Sequence, residues 1–349
     1  MERRQFLTLL GLELAGSACS IFPASDSPGR RARKLVLVGF GGGTRYTESF
    51  GPQGQANIPF LRNELFAAGT FFSRVYNDGE TTHYPATAAV LTGRWQNVAE
   101  YGGERPAQPT VFEYYRKQLG GSAHDAWLVA QGKGFLSAGY STHPRHGARY
   151  GAHVVAPRQM LLGTFRELLR ADETAVFRDR KKLVRELERS LRETYLESEA
   201  SEPLAALPQT SPLEGPPAVQ TLGEPQRRFV PETERFLAET VARFLGEAEN
   251  PRSSDTLNGF VAREIMTRFE PSLLAVNFGE IDLAHQGSFS LYTKAIRNAD
   301  RQVALLREQI EKLPAYRDRT VLVVVPDHGR NLDGMGMNGF QHHRGGDDG

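Results

Sequence analysis

The stretch VLVVVPDHGRN, residues 321–331, joins an apolar run to polar side chains that can bind a metal. Its first five residues are apolar and mostly β-branched, and the run breaks at Pro326. This pattern predicts a fully buried central strand. Asp327 and His328 follow directly. Ligands of open parallel α/β sheets bind at the carboxyl ends of the strands, so we expect this pair to lie in a functional site.

A second Asp/His pair lies upstream, in SLLAVNFGEIDLAHQG, residues 272–287. An apolar run that predicts a strand is followed there by Asp282 and His285, and two adjacent imidazoles, His342 and His343, come later. One such pair alone is better explained by an Asp that caps a turn or a helix. Two pairs after two strands, with further histidines, predict a metal site, and mixed Asp/His ligands suit zinc or manganese better than calcium.

The fold class follows from the alternation of apolar runs with helical patterns. KLVLVGF, at Lys34–Phe40, predicts the first strand, residues 57–69 predict a helix, and residues 70–77 predict another strand. We therefore expect an α/β fold with a mostly parallel central sheet and helices on both faces. With 349 residues, 40% of them hydrophobic, the chain fits one large domain, which we place at residues 31–349.

Charge and hydropathy limit the partners of this domain. The formal net charge is +1, which gives no electrostatic reason to expect binding to nucleic acid or to an anionic membrane. Beyond the N-terminus, no stretch approaches the ~20 apolar residues that span a bilayer. We expect no transmembrane segment.

The first 30 residues resemble an export signal followed by a linker. RRQFL, residues 3–7, is a twin-arginine pattern, and an apolar run with small residues follows it. Glu13 interrupts that run, so an amphipathic N-terminal helix is the alternative. Cys19 is the only cysteine, which excludes an intrachain disulfide, and the small residues before it leave a lipid anchor as a second alternative. We expect an exported protein, in the periplasm or outside the cell.

Two further regions bear on function. In TTHYPATAAVLTGR, residues 81–94, the proline starts a helix. The hydroxyl of Thr82 would face the helix amides, where a nearby metal would lower its pKa and make it a nucleophile; the alternative is that Thr82 only caps the helix. Residues 155–230 predict an insertion of charged amphipathic helices and a Pro-rich stretch that covers the site.

Taken in order, these segments resemble the alkaline phosphatase and sulfatase superfamily, which includes the nucleotide pyrophosphatase/phosphodiesterases. The resemblance spans residues 34–343. It rests on the helix NIPFLRNELFAAG, on the segment 81–94 with its Leu-Thr-Gly-Arg ending, and on the order of the Asp/His pairs. It implies two divalent metal ions, zinc or alternatively manganese or magnesium. Asp282, His285 and either His342 or His343 would hold one of them, and Asp327, His328 and the nucleophile would hold the other.

The chain departs from the family pattern in three ways, one of which is the spacing of three residues from Asp282 to His285, where many relatives have four. The family places an Asp ligand after the first strand, where this chain has glycines; Glu48 is the nearest carboxylate and would serve only if the glycine loop folds back. Counted from Pro85, the nucleophile position falls on His83 rather than on Thr82. The Cys-x-Pro-x-Arg signature of sulfatases is absent, so sulfate esters are the less expected substrates.

The resemblance therefore implies an exported, metal-dependent hydrolase of small anionic esters, chiefly phosphate and otherwise related sulfate or phosphonate esters. The alternative is a catalytically inactive relative that binds a metal or a ligand.

Overall fold

The protein, seen in a computed structural model, is described for residues 34–160, 229–246 and 253–330, apart from positions 74, 78, 100 and 101. Its five described strands are β1 (Lys34–Phe40), β2 (Ala126–Val129), β3 (His153–Val155), β4 (Leu273–Phe278) and β5 (Thr320–Val325). They form one sheet in the order β3-β2-β4-β1-β5, and every pairing is parallel. The predicted α/β class with a parallel sheet is confirmed.

The sheet alternates with helices along the chain. The described α-helices are α1 (Phe66–Ala68), α2 (His83–Thr92), α3 (Val111–Leu119), α4 (Pro231–Gly246), α5 (Ser254–Phe269) and α6 (Phe289–Lys312). Part of the helix predicted at residues 57–69 is a π-helical stretch, Leu61–Leu65, that continues into α1. Short 3-10 turns lie at Gln55–Asn57, Ala123–Asp125, Lys133–Gly139, Gly147–Tyr150 and Glu280–Gln286.

Local sequence sets the ends of these helices. Thr110 and Glu113 form a capping box at the start of α3, in which each side chain accepts a backbone N–H of the other residue. Ser253 and Ser288 cap α5 and α6 in the simpler way, by accepting an N–H of the first turn. The C-terminal end of α2 is set by Gly93, whose φ of +68° suits glycine.

Two hydrophobic cores lie on the two faces of the sheet, because successive side chains of a strand point to opposite sides. Val36 and Val38 of β1 and Leu274 of β4 pack in one core with α4, α5 and α6. Leu35 and Leu37 of β1 pack in the other with α2 and α3. The helices thus cover both faces, as predicted.

Two local predictions are wrong. β5 was expected to be a fully buried central strand, but among the described strands it lies at the edge of the sheet, and all six of its residues are half-buried. The fully buried strand next to β1 is β4. An apolar β-branched run indicates a strand but does not indicate its place in the sheet. Residues 70–77 have no strand at their described positions.

Several predictions fall outside the described residues. These are the signal and linker of residues 1–30, Cys19, most of the insertion at residues 155–230, and His342 and His343. None of the helices in the part of the chain that is described combines the length and the hydropathy needed to cross a bilayer.

Candidate metal centre

The site lies where three neighbouring strands end. β1 pairs with β4 on one side and with β5 on the other, all in parallel, so their carboxyl ends lie side by side at one edge of the sheet. Asp282 follows β4, a loop of Gly41, Gly42 and Gly43 follows β1, and Asp327 follows β5.

A fourth element, α2, brings His83 to this edge as its first residue. The helix is tied to the sheet near its second turn, where Asn277 of β4 donates a side-chain hydrogen bond of 3.2 Å to the hydroxyl of Thr87. His83 is therefore positioned by a helix that is anchored to the strand before Asp282.

Three side-chain atoms form a triangle of possible metal ligands: Nδ1 of His83, Nε2 of His328 and Oδ2 of Asp327. Nδ1 of His83 lies 2.8 Å from Oδ2 of Asp327 and 3.0 Å from Nε2 of His328, and the third side is 3.6 Å. Around a tetrahedral zinc ion with bonds of about 2.0–2.1 Å, neighbouring ligand atoms lie roughly 3.4 Å apart. The triangle is close in size to one face of such a tetrahedron, with two shorter sides and one longer side.

The partners of the two imidazoles direct the correct ring nitrogens toward this triangle. Nδ1 of His328 lies 2.8 Å from the carbonyl oxygen of Gly329, which is an acceptor only, so the proton is on Nδ1 and the lone pair is on Nε2. Nε2 of His83 lies 3.0 Å from Oδ2 of Asp282, which leaves Nδ1 as the nitrogen for a metal. Carbonyl–His and carboxylate–His pairs of this kind orient metal-binding histidines in proteins.

The two carboxylates also control the charge of His83. Burial disfavours its protonated form, but hydrogen bonds and charge from Asp282 and Asp327 outweigh burial and raise the pKa of His83 to about 10. Burial likewise disfavours the charge of Asp327, yet His328, His83 and the N–H of Gly42 hold the pKa of that carboxyl below its usual value. Without a metal, an imidazolium therefore bridges two carboxylates at neutral pH.

The glycine loop is pressed against these ligands. The N–H of Gly42 donates to both carboxylate oxygens of Asp327, at 3.1 and 3.2 Å. A Cβ on Gly42 would lie 2.5 Å from the backbone nitrogen of Asp282, and one on Gly43 would lie 2.7 Å from Nδ1 of His328. Gly42 and Gly43 also have φ values of +101° and +68°. Only glycine fits at these two positions.

Arg330 fills the space beside this loop. The side chain is fully buried, and its Nη2 lies 2.7 Å from Oδ1 of Asp282. The same guanidinium donates to the carbonyl oxygens of Gly42 and Gly43, with Nε at 3.0 and 2.8 Å and Nη2 at 2.6 Å from Gly42. Nε2 of His285 lies 3.0 Å from the same Oδ1 of Asp282, so two donors share that oxygen.

Two acidic residues, the buried Asp255 and the half-buried Glu280, hold the turn that carries Asp282. Asp255, at the start of α5, accepts the N–H groups of Gly279 and Glu280 at 2.8 and 3.1 Å. Glu280 in turn accepts the N–H of Ser254 at 2.6 Å. Burial and the neighbouring charge of Glu280 raise the pKa of Asp255 well above its usual value. These three hydrogen bonds fix the backbone at the start of the 3-10 turn Glu280–Gln286.

Thr82 and Glu48 have different surroundings. Thr82 precedes α2, but its side chain makes no capping hydrogen bond, and its buried Oγ1 has no hydrogen-bond partner among the described residues. Glu48 binds Arg45 through both carboxylate oxygens, each at 2.6 Å, and lies 3.4 Å from the hydroxyl of Tyr292. Because Arg45 binds both of its oxygens, the Glu48 carboxylate is paired with this arginine and is not part of the three-ligand group.

The sequence-predicted histidines and carboxylates thus divide into three sets. Those brought together are His83, Asp282, His285, Asp327 and His328. Glu48 is not part of the three-ligand group, and His342 and His343 lie outside the described residues. Arg330 was missed, because an arginine shortly after a strand normally indicates a solvated loop. Its only signal was its place three residues after Asp327.

No protein-family model, curated protein or solved structure matches this chain. The function therefore has to be inferred from the chemistry of the site.

Proposed function

We propose that the protein is a metal-dependent hydrolase of phosphate esters, with the metal held by His83, Asp327 and His328. The observation that carries this proposal is the triangle of three ligand atoms with sides of 2.8, 3.0 and 3.6 Å. Two neutral imidazoles and one carboxylate are a set that zinc accepts in hydrolases, with a further position open for water or substrate. Manganese and iron(II) accept the same set, and magnesium prefers oxygen ligands.

A metal bound there would polarise the ester and lower the pKa of a coordinated hydroxyl. The chain's own contribution is to hold the ligands still. Gly42 fixes Asp327 through a backbone N–H, Gly329 fixes the ring of His328, and Asp282 fixes the ring of His83. Thr82 supplies a hydroxyl next to a ligand residue, and its buried oxygen has no partner among the described residues. We infer that this hydroxyl is the nucleophile.

Three features support the resemblance to the alkaline phosphatase superfamily as part of this proposal. The sheet is parallel, the Asp/His residues follow two strands that flank β1, and the helix of the segment 81–94 points its first residue at them. The same resemblance supports small anionic esters as substrates and, with the twin-arginine pattern, export of the protein.

One observation favours a second candidate, a relative that binds a metal or an anionic ligand without turnover. The loop after β1 supplies no carboxylate, and Asp282 is paired with Arg330. A protein that only binds a metal needs the three ligands. It needs neither a nucleophile nor the second set of metal ligands that the resemblance implies.

The experiment combines metal analysis with a substrate screen. Purified protein is stripped with a chelator, reloaded separately with zinc, manganese or iron(II), and assayed on chromogenic phosphomonoesters, phosphodiesters and sulfate esters. Asp327→Asn removes one ligand charge, and His146→Ala changes a histidine outside the three-residue group. We expect reloading to restore turnover of a phosphate ester in the wild type and in His146→Ala, but not in Asp327→Asn.

Each outcome separates the candidates. Metal binding that is lost in Asp327→Asn, without turnover of any ester, favours the binding protein. Failure of the wild type to bind any of the three metals rules out the hydrolase and a metal-binding relative, and leaves a relative that binds an anionic ligand.

A further inference from the structure

The resemblance implies two metal ions, with Asp282 and His285 in the second site, but a fixed positive charge already lies beside Asp282. Nη2 of Arg330 is 2.7 Å from Oδ1 of Asp282, and Nε2 of His285 is 3.0 Å from the same oxygen. The other oxygen, Oδ2, lies 3.0 Å from His83. Both oxygens of Asp282 therefore already face nitrogen donors.

The guanidinium is held in place and cannot leave at low cost. Arg330 is fully buried, and the carbonyl oxygens of Gly42 and Gly43 accept from it at 2.6 to 3.0 Å. It also lies over the ring of Tyr292, 5.9 Å from the ring centre. A buried charge that loses its partners is strongly destabilising, so a metal ion that displaced Arg330 from Asp282 would have to offset that loss.

The charge balance also favours a single metal ion. The carboxylates of Asp282 and Asp327 and the guanidinium of Arg330 together carry one negative charge. One divalent ion changes this to one positive charge, whereas two would leave three positive charges in a buried site. The loop after β1, the family's place for another carboxylate ligand, has no room for a side chain at Gly42 or Gly43.

We propose that the guanidinium of Arg330 takes the place of a second metal ion. The site then binds a single divalent metal, at His83, Asp327 and His328, and Asp282 acts as the counter-ion of Arg330 and orients His83. This inference rests on the proposed metal-dependent function and specifies its cofactor.

The test counts zinc ions. Zinc is titrated calorimetrically into chelator-treated full-length protein, and bound zinc is measured by elemental analysis after desalting. We expect one equivalent in the wild type. Arg330→Met removes the charge but keeps much of the volume and frees Asp282, so a second, weaker equivalent should appear. Arg330→Lys keeps the positive charge and should bind only one.

Asp282→Asn tests the role of Asp282, which in this assignment is not a metal ligand. If Asp282 only orients His83, this variant should keep one equivalent and lose about 10–100-fold in affinity, as losses of such supporting contacts do. Asp327→Asn, by contrast, should lose the tight site.

Four results decide the matter. Two equivalents in the wild type would overturn this inference and leave the proposed metal-dependent function intact. No equivalent in the wild type would overturn the proposed function itself. A second equivalent in Arg330→Lys, or its absence in a folded Arg330→Met, would show that the charge of Arg330 does not limit the count. If Arg330→Met does not fold, the wild type, Arg330→Lys and Asp282→Asn still decide.

Discussion

His83 is contacted by a carboxylate at each ring nitrogen, at 2.8 Å from Asp327 and 3.0 Å from Asp282. These contacts make the residue a proton-binding group when no metal is present, with a pKa raised to about 10. A metal can use Nδ1 only after that proton has left. Proton and metal therefore compete for one nitrogen atom.

We predict that zinc affinity rises with pH. Below the raised pKa of His83, each bound zinc ion should release a proton from this ring, which makes the apparent affinity fall by about tenfold for every pH unit of acidification. The affinity is measured by competition with a chromogenic chelator, at several pH values between about 6 and about 8.

Asp282→Asn provides the control for this pH dependence, because it removes one of the two carboxylates that hold the proton on His83. Its zinc affinity should depend less steeply on pH than that of the wild type. A wild-type affinity that does not change with pH would mean that His83 is not a ligand.

The sequence left Thr82 and His83 as alternative nucleophiles, and the proposed site uses Thr82 as the nucleophile and His83 as a metal ligand. We predict that Thr82→Ala retains metal binding and loses turnover by several orders of magnitude, since a nucleophile and its metal act as a unit. His83→Ala should lose metal affinity as well as turnover. Zinc titration and steady-state kinetics on the best phosphate ester of the screen give both quantities.

Thr82→Ser is the matched control, because it keeps a hydroxyl at the same position and should keep measurable turnover. Full activity in Thr82→Ala would assign the nucleophile to another group.

The helical stretch that continues into α1 is anchored by a residue of a helix distant in sequence, α6. Asp300 of α6 accepts the N–H groups of Phe60 and Leu61, at 3.0 and 2.9 Å. These donors lie in the first turn of that stretch, where no carbonyl of the same helix can reach them. A side chain 239 residues away in sequence thus serves as the cap.

We predict that Asp300→Ala lowers the free energy of unfolding by about 1–3 kcal/mol, because two buried N–H groups lose their acceptor. Burial raises the pKa of Asp300 despite these two bonds, so the folded state binds a proton more tightly than the unfolded chain. Its contribution is therefore largest at acidic pH and declines as the pH rises through the raised pKa. Denaturant unfolding of both proteins across this range gives the difference.

Glu311→Ala is the control on the same helix. Glu311 is exposed, and among the described residues its carboxylate forms an ion pair with Arg307. Its effect should stay below about 1 kcal/mol at every pH. An equal loss in both variants would indicate a general effect of shortening side chains on α6.

The sequence predicts where strands of this protein lie better than it predicts which elements pack against each other. The apolar runs of β1 and β4 are local signals, and each strand formed where it was expected. The edge position of β5 and the burial of Arg330 depend on which strand pairs with which. That information comes from contacts such as Arg330 to Asp282, 48 residues apart, and no local pattern contains it.

The same limit applies to the candidate site. The two Asp/His pairs could be placed at strand ends from their sequence alone, and the structure brings them together. Glu48 was considered as a ligand because it was the nearest carboxylate in sequence to the glycine loop. The sequence did not indicate that Arg45, three residues before it, would bind both of its oxygens.

The N-terminal pattern predicts in which compartment the protein works. Replacing Arg3 and Arg4 by lysine should retain it in the cytoplasm, because the twin-arginine pathway recognises that pair. Cell fractionation and immunoblotting of both forms measure this. Equal export of the lysine form would show that the first residues are not a twin-arginine signal. An Arg30→Lys, Arg31→Lys form makes the same change outside the pattern and should be exported like the wild type.

The sheet order also has a consequence for synthesis on the ribosome. β1 is made early, but both of its neighbours, β4 and β5, are made about 230 and 280 residues later. At roughly 5–20 residues per second, β1 waits on the order of 10–50 s without a partner strand. The bond between Gly42 and Asp327 joins residues 285 positions apart. The three residues of the proposed metal site, His83, Asp327 and His328, can therefore come together only after β5 has emerged, and a metal ion would be bound after that point.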